Sequence, residues 1–197
     1  MHEKDAYGGR SGIVSAWVRR FLSGVRPGGR ILDVACGGGR NMRAALAAGL
    51  AVTGVDRNLT GVTDLSATKG VQLIEMDLET GEAAPLSAQF GGQFGAGGFD
   101  GVIVTNYLWR PIMADVVAMV RPDGILIYET FALGNARYGR PSNPDFLLKP
   151  GELVEAIRPA LTAIAYEHVS LSEPARVVQR IAAVGPEHSW LHEPPPA

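Results

Sequence analysis

Residues 28–58, GGRILDVACGGGRNMRAALAAGLAVTGVDRN, decide how this chain is read. A short apolar run at 30–34 carries Asp33 next to its end and gives way to a loop of small residues in which Gly37, Gly38 and Gly39 stand in succession. A helical pattern follows at 40–48 and stops at Gly49, a residue suited to the left-handed position after a helix. A second apolar run at 51–55 leads into Asp56. Parallel neighbouring strands need a helical crossover between them, so strand, glycine loop, helix and strand read as one βαβ unit. At its first turn the loop N–H groups and the helix N-terminus offer a positive partial charge, and Gly37 and Gly39 let the backbone approach a ligand closely. Asp56, at the carboxyl end of the neighbouring strand, is placed to accept hydrogen bonds from the two hydroxyls of a ribose. Together these residues imply a nucleoside-containing ligand.

The alternation continues outward. Runs at 71–76, 100–105 and 124–129 read as buried strands, and 112–120 reads as a helix with Ile112, Met113, Val116, Val117 and Val120 at helical spacing. The fold class is therefore α/β, with a parallel sheet covered on both faces. Two parts lie outside the alternation. SGIVSAWVRRFLSG places Ile13, Val14, Trp17, Val18, Phe21 and Leu22 on one face of an amphipathic N-terminal helix within 10–24. Runs at 161–169 and 176–184 are too close for a crossover helix and predict an antiparallel edge pair. Within the tail, 186–197, the Pro-rich HEPPPA at 192–197 reads as frayed, and the glycine-rich segment 91–98 as a flexible surface loop.

With 197 residues the chain fits one domain. Eighteen Lys and Arg against twenty Asp and Glu leave a net charge of −2, which argues against a broad basic field for nucleic acid or an anionic membrane. No apolar stretch reaches the roughly 20 residues of a membrane span, and the N-terminus carries no secretory h-region, so a cytoplasmic location is expected. The single cysteine, Cys36, forms no internal disulfide and belongs to no Cys/His spacing typical of zinc; no metal is expected.

The dinucleotide fingerprint Gly-x-Gly-x-x-Gly fails, because counting from Gly37 puts Met42 at its last position. Asp33 just before the loop would also repel a pyrophosphate, whereas it suits an ammonium or sulfonium group. LDVACGGGRN resembles the first motif of class I S-adenosylmethionine-dependent methyltransferases, and the matches to that family run over roughly 28–132. The resemblance implies a Rossmann-like, doubly wound, mostly parallel seven-stranded sheet with the antiparallel pair at its C-terminal edge. It also implies S-adenosylmethionine as cofactor and S-adenosylhomocysteine as product. Asp33, Ala35, Gly37 and Gly39 would then hold the methionine part, Asp56 with Arg57 the ribose, and Asp77 with Leu78 the adenine. FDGVIVTNYL resembles the fourth-strand motif facing the methyl group, and RPDGILIYE the fifth strand. Asn106 would border cofactor and substrate and orient a nucleophile; Tyr107 would stack or accept a proton. Methyl transfer is an in-line displacement, so positioning supplies most of the rate.

NYLW after the fourth strand differs from the Asn/Asp-Pro-Pro-Tyr type of motif associated with amino methylation of bases or glutamine. A long polar loop, 133–150, follows the fifth strand and reads as a substrate lid. Tyr138, Arg140 and Asn143 in it, with Tyr107, Arg110 and Glu129, are the candidate substrate contacts, and Arg110, Arg137 and Arg140 together favour an anion. A small polar or anionic metabolite is the expected acceptor, with the oligomeric state open. Three rivals stay open. Arg10, Arg19, Arg20, Arg26 and Arg30 would make a basic patch for RNA or a protein substrate. A module that binds the cofactor without turnover has the same motifs, and an NAD-dependent oxidoreductase is the third. Plainer roles compete at single residues: turn residue for Asp77, core packing for Trp17 and Phe21, small loop residue for Cys36, edge position for His168, and solvated ends for His2, His188 and His192.

Overall fold

The computed structural model describes residues 12–81, 84–94 and 98–196. Seven strands form one sheet: β1 (Arg30–Val34), β2 (Ala51–Asp56), β3 (Val71–Glu75), β4 (Phe99–Thr105), β5 (Val120–Phe131), β6 (Thr162–Ser172) and β7 (Ala175–Val184). Their order is β3-β2-β1-β4-β5-β7-β6, parallel from β3 through β5 and antiparallel at β5–β7 and β7–β6. This is the expected doubly wound sheet with an antiparallel edge pair. The central strands are buried on both faces. Ile31, Ile103, Ile125 and Ile127 point to one face, under α1 (Ala16–Phe21), α2 (Arg40–Ala47) and the 3₁₀ segment Thr60–Leu65. Leu32, Val102, Val104 and Leu126 point to the other, under α3 (Pro85–Phe94), α4 (Met113–Ala118) and α5 (Glu152–Ala156). Each such side chain contributes about 1.5–3 kcal/mol by leaving water, which is why these strands read as continuous apolar runs.

Three elements depart from the sequence expectation. The expected flexible loop at 91–98 begins inside α3, whose helix runs through Phe94; residues 95–97 lie outside the described residues. Asp115 of α4 holds the start of α3, accepting the N–H groups of Leu86 at 2.7 Å and Ser87 at 3.0 Å and the Ser87 hydroxyl. Phe90 packs edge-on against Phe99 at 5.3 Å, and its burial offsets the roughly 1 kcal/mol cost of a helical glycine. β5 starts at Val120 rather than Gly124, because Phe99 pairs with Val120 and Gly101 with Ile125, so residues 121–124 bulge from the ladder.

The tail is the third departure. His188 is 5% exposed, accepts the Trp190 N–H on Nδ1 at 3.1 Å, and so donates from Nε2 to the Gly24 carbonyl at 2.9 Å. Trp190 meets the Phe21 ring at 6.3 Å. The segment through Leu191 therefore closes the α1 face, and His188, expected as a solvated end, is buried.

Candidate functional site

Strand order reverses between β1 and β4, and in open α/β sheets ligands bind outside the carboxyl ends of the strands at such a point. Ala35 follows β1 and Asn106 follows β4, with φ of 55° and 56°, the two non-glycine residues with positive φ among those described. An L-residue pays to sit there, and strain of this kind gathers at ligand sites. The edge thus brings together Asp33, Ala35, Gly37, Asp56, Asn106, Tyr107 and Glu129.

The loop after β1 is tied to β2. Gly37 N–H donates to Asp56 Oδ2 at 2.8 Å, Asn58 N–H donates to Asp56 Oδ1 at 3.0 Å, and Cys36 N–H donates to the Val55 carbonyl at 3.1 Å. Each Asp56 oxygen keeps a further lone pair. The two glycines differ in what requires them. Gly37, at φ 53°, has open space where a side chain would stand, as close approach by a ligand requires. Gly39, at φ 70°, has Val62 Cγ1 only 2.5 Å from a would-be Cβ, so packing against the 3₁₀ segment Thr60–Leu65 by itself demands a glycine there.

Asp33 is 1% exposed, and neither carboxylate oxygen has a partner at full hydrogen-bond geometry, the Asn41 side chain and the Met42 N–H standing nearby. Burial raises its carboxyl to about 7, against the opposing pull of Arg40, the Asn41 side chain and the Met42 N–H. Asn41 Oδ1 beside it is orphaned too, while the orphaned Arg176 Nε belongs to the side chain facing Glu129 and the orphaned Trp17 Nε1 to the ring facing Arg180. Buried polar groups without partners are rare, each costing about 1–3 kcal/mol, so the orphaned Asp33 and Asn41 at the end of β1 mark a place suited to a polar ligand.

Farther along the edge, Asp77 is exposed and its Oδ1 accepts the Glu79 N–H at 2.9 Å, a turn contact. Leu78 beside it is buried, Arg57 is exposed, and an open cleft of about 350 Å³ is lined by Met76, Asp77, Thr80, Pro85, Ala88 and Gln89. Tyr107 is buried, Tyr128 donates from its hydroxyl to the Tyr107 carbonyl at 3.0 Å, and burial pushes the Tyr107 hydroxyl above its usual range. A phenol made harder to ionise is a poor proton acceptor, which favours stacking over the base role.

The loop at 133–150 is anchored at its base. The Leu133 N–H donates to the Leu148 carbonyl and the Leu148 N–H to the Phe131 carbonyl, both at 3.0 Å, and Asn135, 1% exposed, donates to the Pro141 carbonyl at 3.0 Å while accepting the Val177 N–H at 3.1 Å. Arg110 is not available to a substrate as expected: it pairs with Glu152 at 2.5 Å and donates to the Asp145 and Leu147 carbonyls at 2.5 and 2.8 Å. Asn143 Oδ1 caps the turn by accepting the Asp145 N–H at 3.0 Å, and Arg137 donates to Ser170 at 3.0 Å on β6. The expected anion cluster of Arg110, Arg137 and Arg140 is dispersed; Tyr138 and Arg140 remain exposed. Glu129, 2% exposed, accepts from Ser15 at 3.2 Å and from Arg180 at 3.5 Å and lies 3.6 Å from Arg176.

Sequence reasoning missed Ser15, Arg40, Asn41, Thr105, Arg176 and Arg180, which only the fold brings to this edge. Arg40 was legible as the residue after the glycine loop; Arg176 and Arg180, on an edge hairpin, carried no signal. Arg10 of the expected basic patch lies outside the described residues, Arg26 pairs with Asp100 at 2.6 Å, and Arg20 stacks at 4.9 Å on Phe21. His168 is exposed on β6, and burial raises the Cys36 thiol. Among the described residues no cluster of three His, Cys, Asp or Glu could hold a metal, and no helix is long and apolar enough to cross a membrane.

The sequence matches no protein-family model and no curated protein. The fold has many solved neighbours. One is the 1,6-didemethyltoxoflavin-N1-methyltransferase of Burkholderia thailandensis with 1,6-didemethyltoxoflavin and S-adenosylhomocysteine bound, at 18% identity and TM-score 0.64, covering 91% of this chain and 80% of that one. A second is the 16S rRNA (adenine(1408)-N(1))-methyltransferase of Catenulisporales acidiphilia, at 17% identity and TM-score 0.55, covering 86% and 89%. A third is the cyclase SpnF, at 15% identity and TM-score 0.59, covering 86% and 78%. The chain therefore has the Rossmann-like fold found in class I S-adenosylmethionine-dependent methyltransferases, a fold that also serves other chemistry.

Proposed function

We propose that this chain is a methyltransferase that uses S-adenosylmethionine and acts on a small polar or anionic metabolite. Asp33 carries the reading. A buried carboxyl without a hydrogen bond at full geometry, at the switch point and at the base of a glycine loop, suits a ligand cation and opposes a pyrophosphate. The bound S-adenosylhomocysteine of the Burkholderia neighbour supports the same ligand class. When bound, the cofactor supplies a methyl group made electrophilic by its sulfonium. Asp33 and the loop at 35–39 hold the amino-acid end. Asp56, beside Arg57, accepts the ribose hydroxyls on the lone pairs that Gly37 and Asn58 leave, and Asp77 with Leu78 borders the adenine at the cleft. Asn106 orients the acceptor, Tyr107 forms a wall against which it stacks, and the loop at 133–150 covers it with Tyr138 and Arg140. Positioning and exclusion of water are the chain's main contribution to rate.

Parallel calorimetric titrations with S-adenosylmethionine, S-adenosylhomocysteine and NADH test this. Micromolar binding of the two adenosyl sulfur compounds, abolished in a folded Asp56→Ala variant, is the expected result; binding of NADH alone would overturn it.

A further inference from the structure

Polar groups gather on the α1/α2 face, around Glu129. Arg180 is fully engaged: it meets Glu167 at 2.6 Å and Glu129 at 3.5 Å, and its guanidinium lies 4.6 Å from the Trp17 ring. Arg176 is not. Its Nη2 stands 3.6 Å from Glu129 Oε1, an ion pair without a hydrogen bond, and its buried Nε–H has no acceptor. Arg40 donates one long hydrogen bond, to Thr105 Oγ1 at 3.4 Å, and makes no ion pair among the described residues. Ser15 already occupies the oxygen of Glu129 that Arg176 faces. Three guanidiniums thus share the charge of Glu129, while Glu167 serves Arg180 alone. Burial lowers the proton affinity of Arg40, with Arg176 adding to that effect against the opposite pull of Glu129 and Asp33. A guanidinium offers five donors in a plane matched to an oxyanion, and two with unused donors beside a ligand crevice are arranged to bind one.

We propose that Arg40 and Arg176 bind an oxyanion of the methyl acceptor, a carboxylate or a group of similar size and charge. That the ligand is a methyl acceptor rests on the methyltransferase reading; the oxyanion site does not. The cofactor has a carboxylate of its own, and although Arg176 stands on β7, three strands from β1, its charge is felt by Arg40 directly after the glycine loop, so the test includes an arm that separates the two carboxylates.

The test uses the full chain saturated with S-adenosylhomocysteine and titrated by calorimetry with acetate, benzoate and sulfate at neutral pH. Arg176→Met, Arg40→Met and Arg176→Lys are compared with wild type, with Lys69→Met as an exposed control. Saturable anion binding is expected in wild type and in the control. It should weaken about tenfold or more in the two methionine variants and recover in part with lysine, which keeps the charge, while Arg176→Met keeps its affinity for S-adenosylhomocysteine. No saturable anion binding by wild type would overturn the proposal without reference to any variant. Loss of S-adenosylhomocysteine affinity in Arg176→Met, with 5′-methylthioadenosine binding unchanged, would assign the guanidinium to the cofactor's carboxylate and overturn it equally. Anion binding that depends on Arg176 in a protein that binds no S-adenosylhomocysteine would uphold the oxyanion site and remove the methyltransferase reading.

Discussion

Asp33 bears the largest physical consequence of any single residue. Its carboxyl, near 4 in an unfolded chain, is raised to about 7 by burial in the fold, so the folded state holds its proton more tightly. Stability from this residue is therefore full below pH about 4 and is lost as pH rises to about 7. In the unliganded protein we expect Asp33→Asn to remove that slope and to raise stability above pH 7 by on the order of 2–4 kcal/mol, measured by urea unfolding across pH. The same variant should bind S-adenosylmethionine at least tenfold more weakly above pH 7. Wild-type affinity should rise by about tenfold from pH 6 to 8, because a cation favours the ionised carboxylate; a flat affinity profile would remove Asp33 from the ligand. Gly37 and Gly39 separate close approach from packing. Gly39→Ala meets Val62 as well as a positive φ and should cost about 2–4 kcal/mol, whereas Gly37→Ala meets open space, should cost about 1 kcal/mol, and should instead weaken nucleotide binding. Equal stability losses in the two variants would contradict this division.

Among the elements, the loop at 133–150 shows how a long polar segment is given a fixed base. The hydrogen bonds and ion pair of Arg110 join the turn after β4 to the far end of the loop and to α5. Removing them leaves two carbonyls and a partly buried Glu152 without their cation. Arg110→Ala should therefore speed hydrogen exchange and proteolysis within 133–150 and lower stability by about 2–3 kcal/mol, while S-adenosylhomocysteine affinity stays within about twofold. A large loss of that affinity with unchanged exchange would place Arg110 in the ligand site after all. α3 teaches a related lesson about local propensity. Its glycines argue against a helix, yet Asp115, distant in sequence, caps its first turn and Phe90 fills the core beneath it. Tertiary contacts outweigh a propensity deficit of about 1 kcal/mol per glycine.

On the scale of the whole molecule, the tail and the N-terminal helix close one face of the sheet together. His188→Ala removes the hydrogen bond to Gly24 and leaves that carbonyl without its donor, so the thermal midpoint should fall by a few degrees, corresponding to about 1–3 kcal/mol. An unchanged midpoint would mean that the tail contributes nothing to the fold. The course of the chain through the sheet was legible from residues alone. Apolar runs bounded by Gly, Asp and Pro place seven strands, and spacing separates parallel crossovers from the closing hairpin, because burial on both faces and crossover length are written in local composition. The acids at the ends of β1, β2 and β3 were legible for the same reason: each lies next to its own strand. Convergence across the sheet was not legible. Arg180 is 51 positions from Glu129, and it and Arg176 reach that carboxylate only because β7 inserts between β5 and β6. The partners that occupy Arg110, bury Glu129 and order His188 are likewise distant in sequence. Local pattern determined the sheet and the glycine loop; only tertiary structure decided which charges are paired and which are left for a ligand, since pairing depends on distances that no stretch of sequence contains.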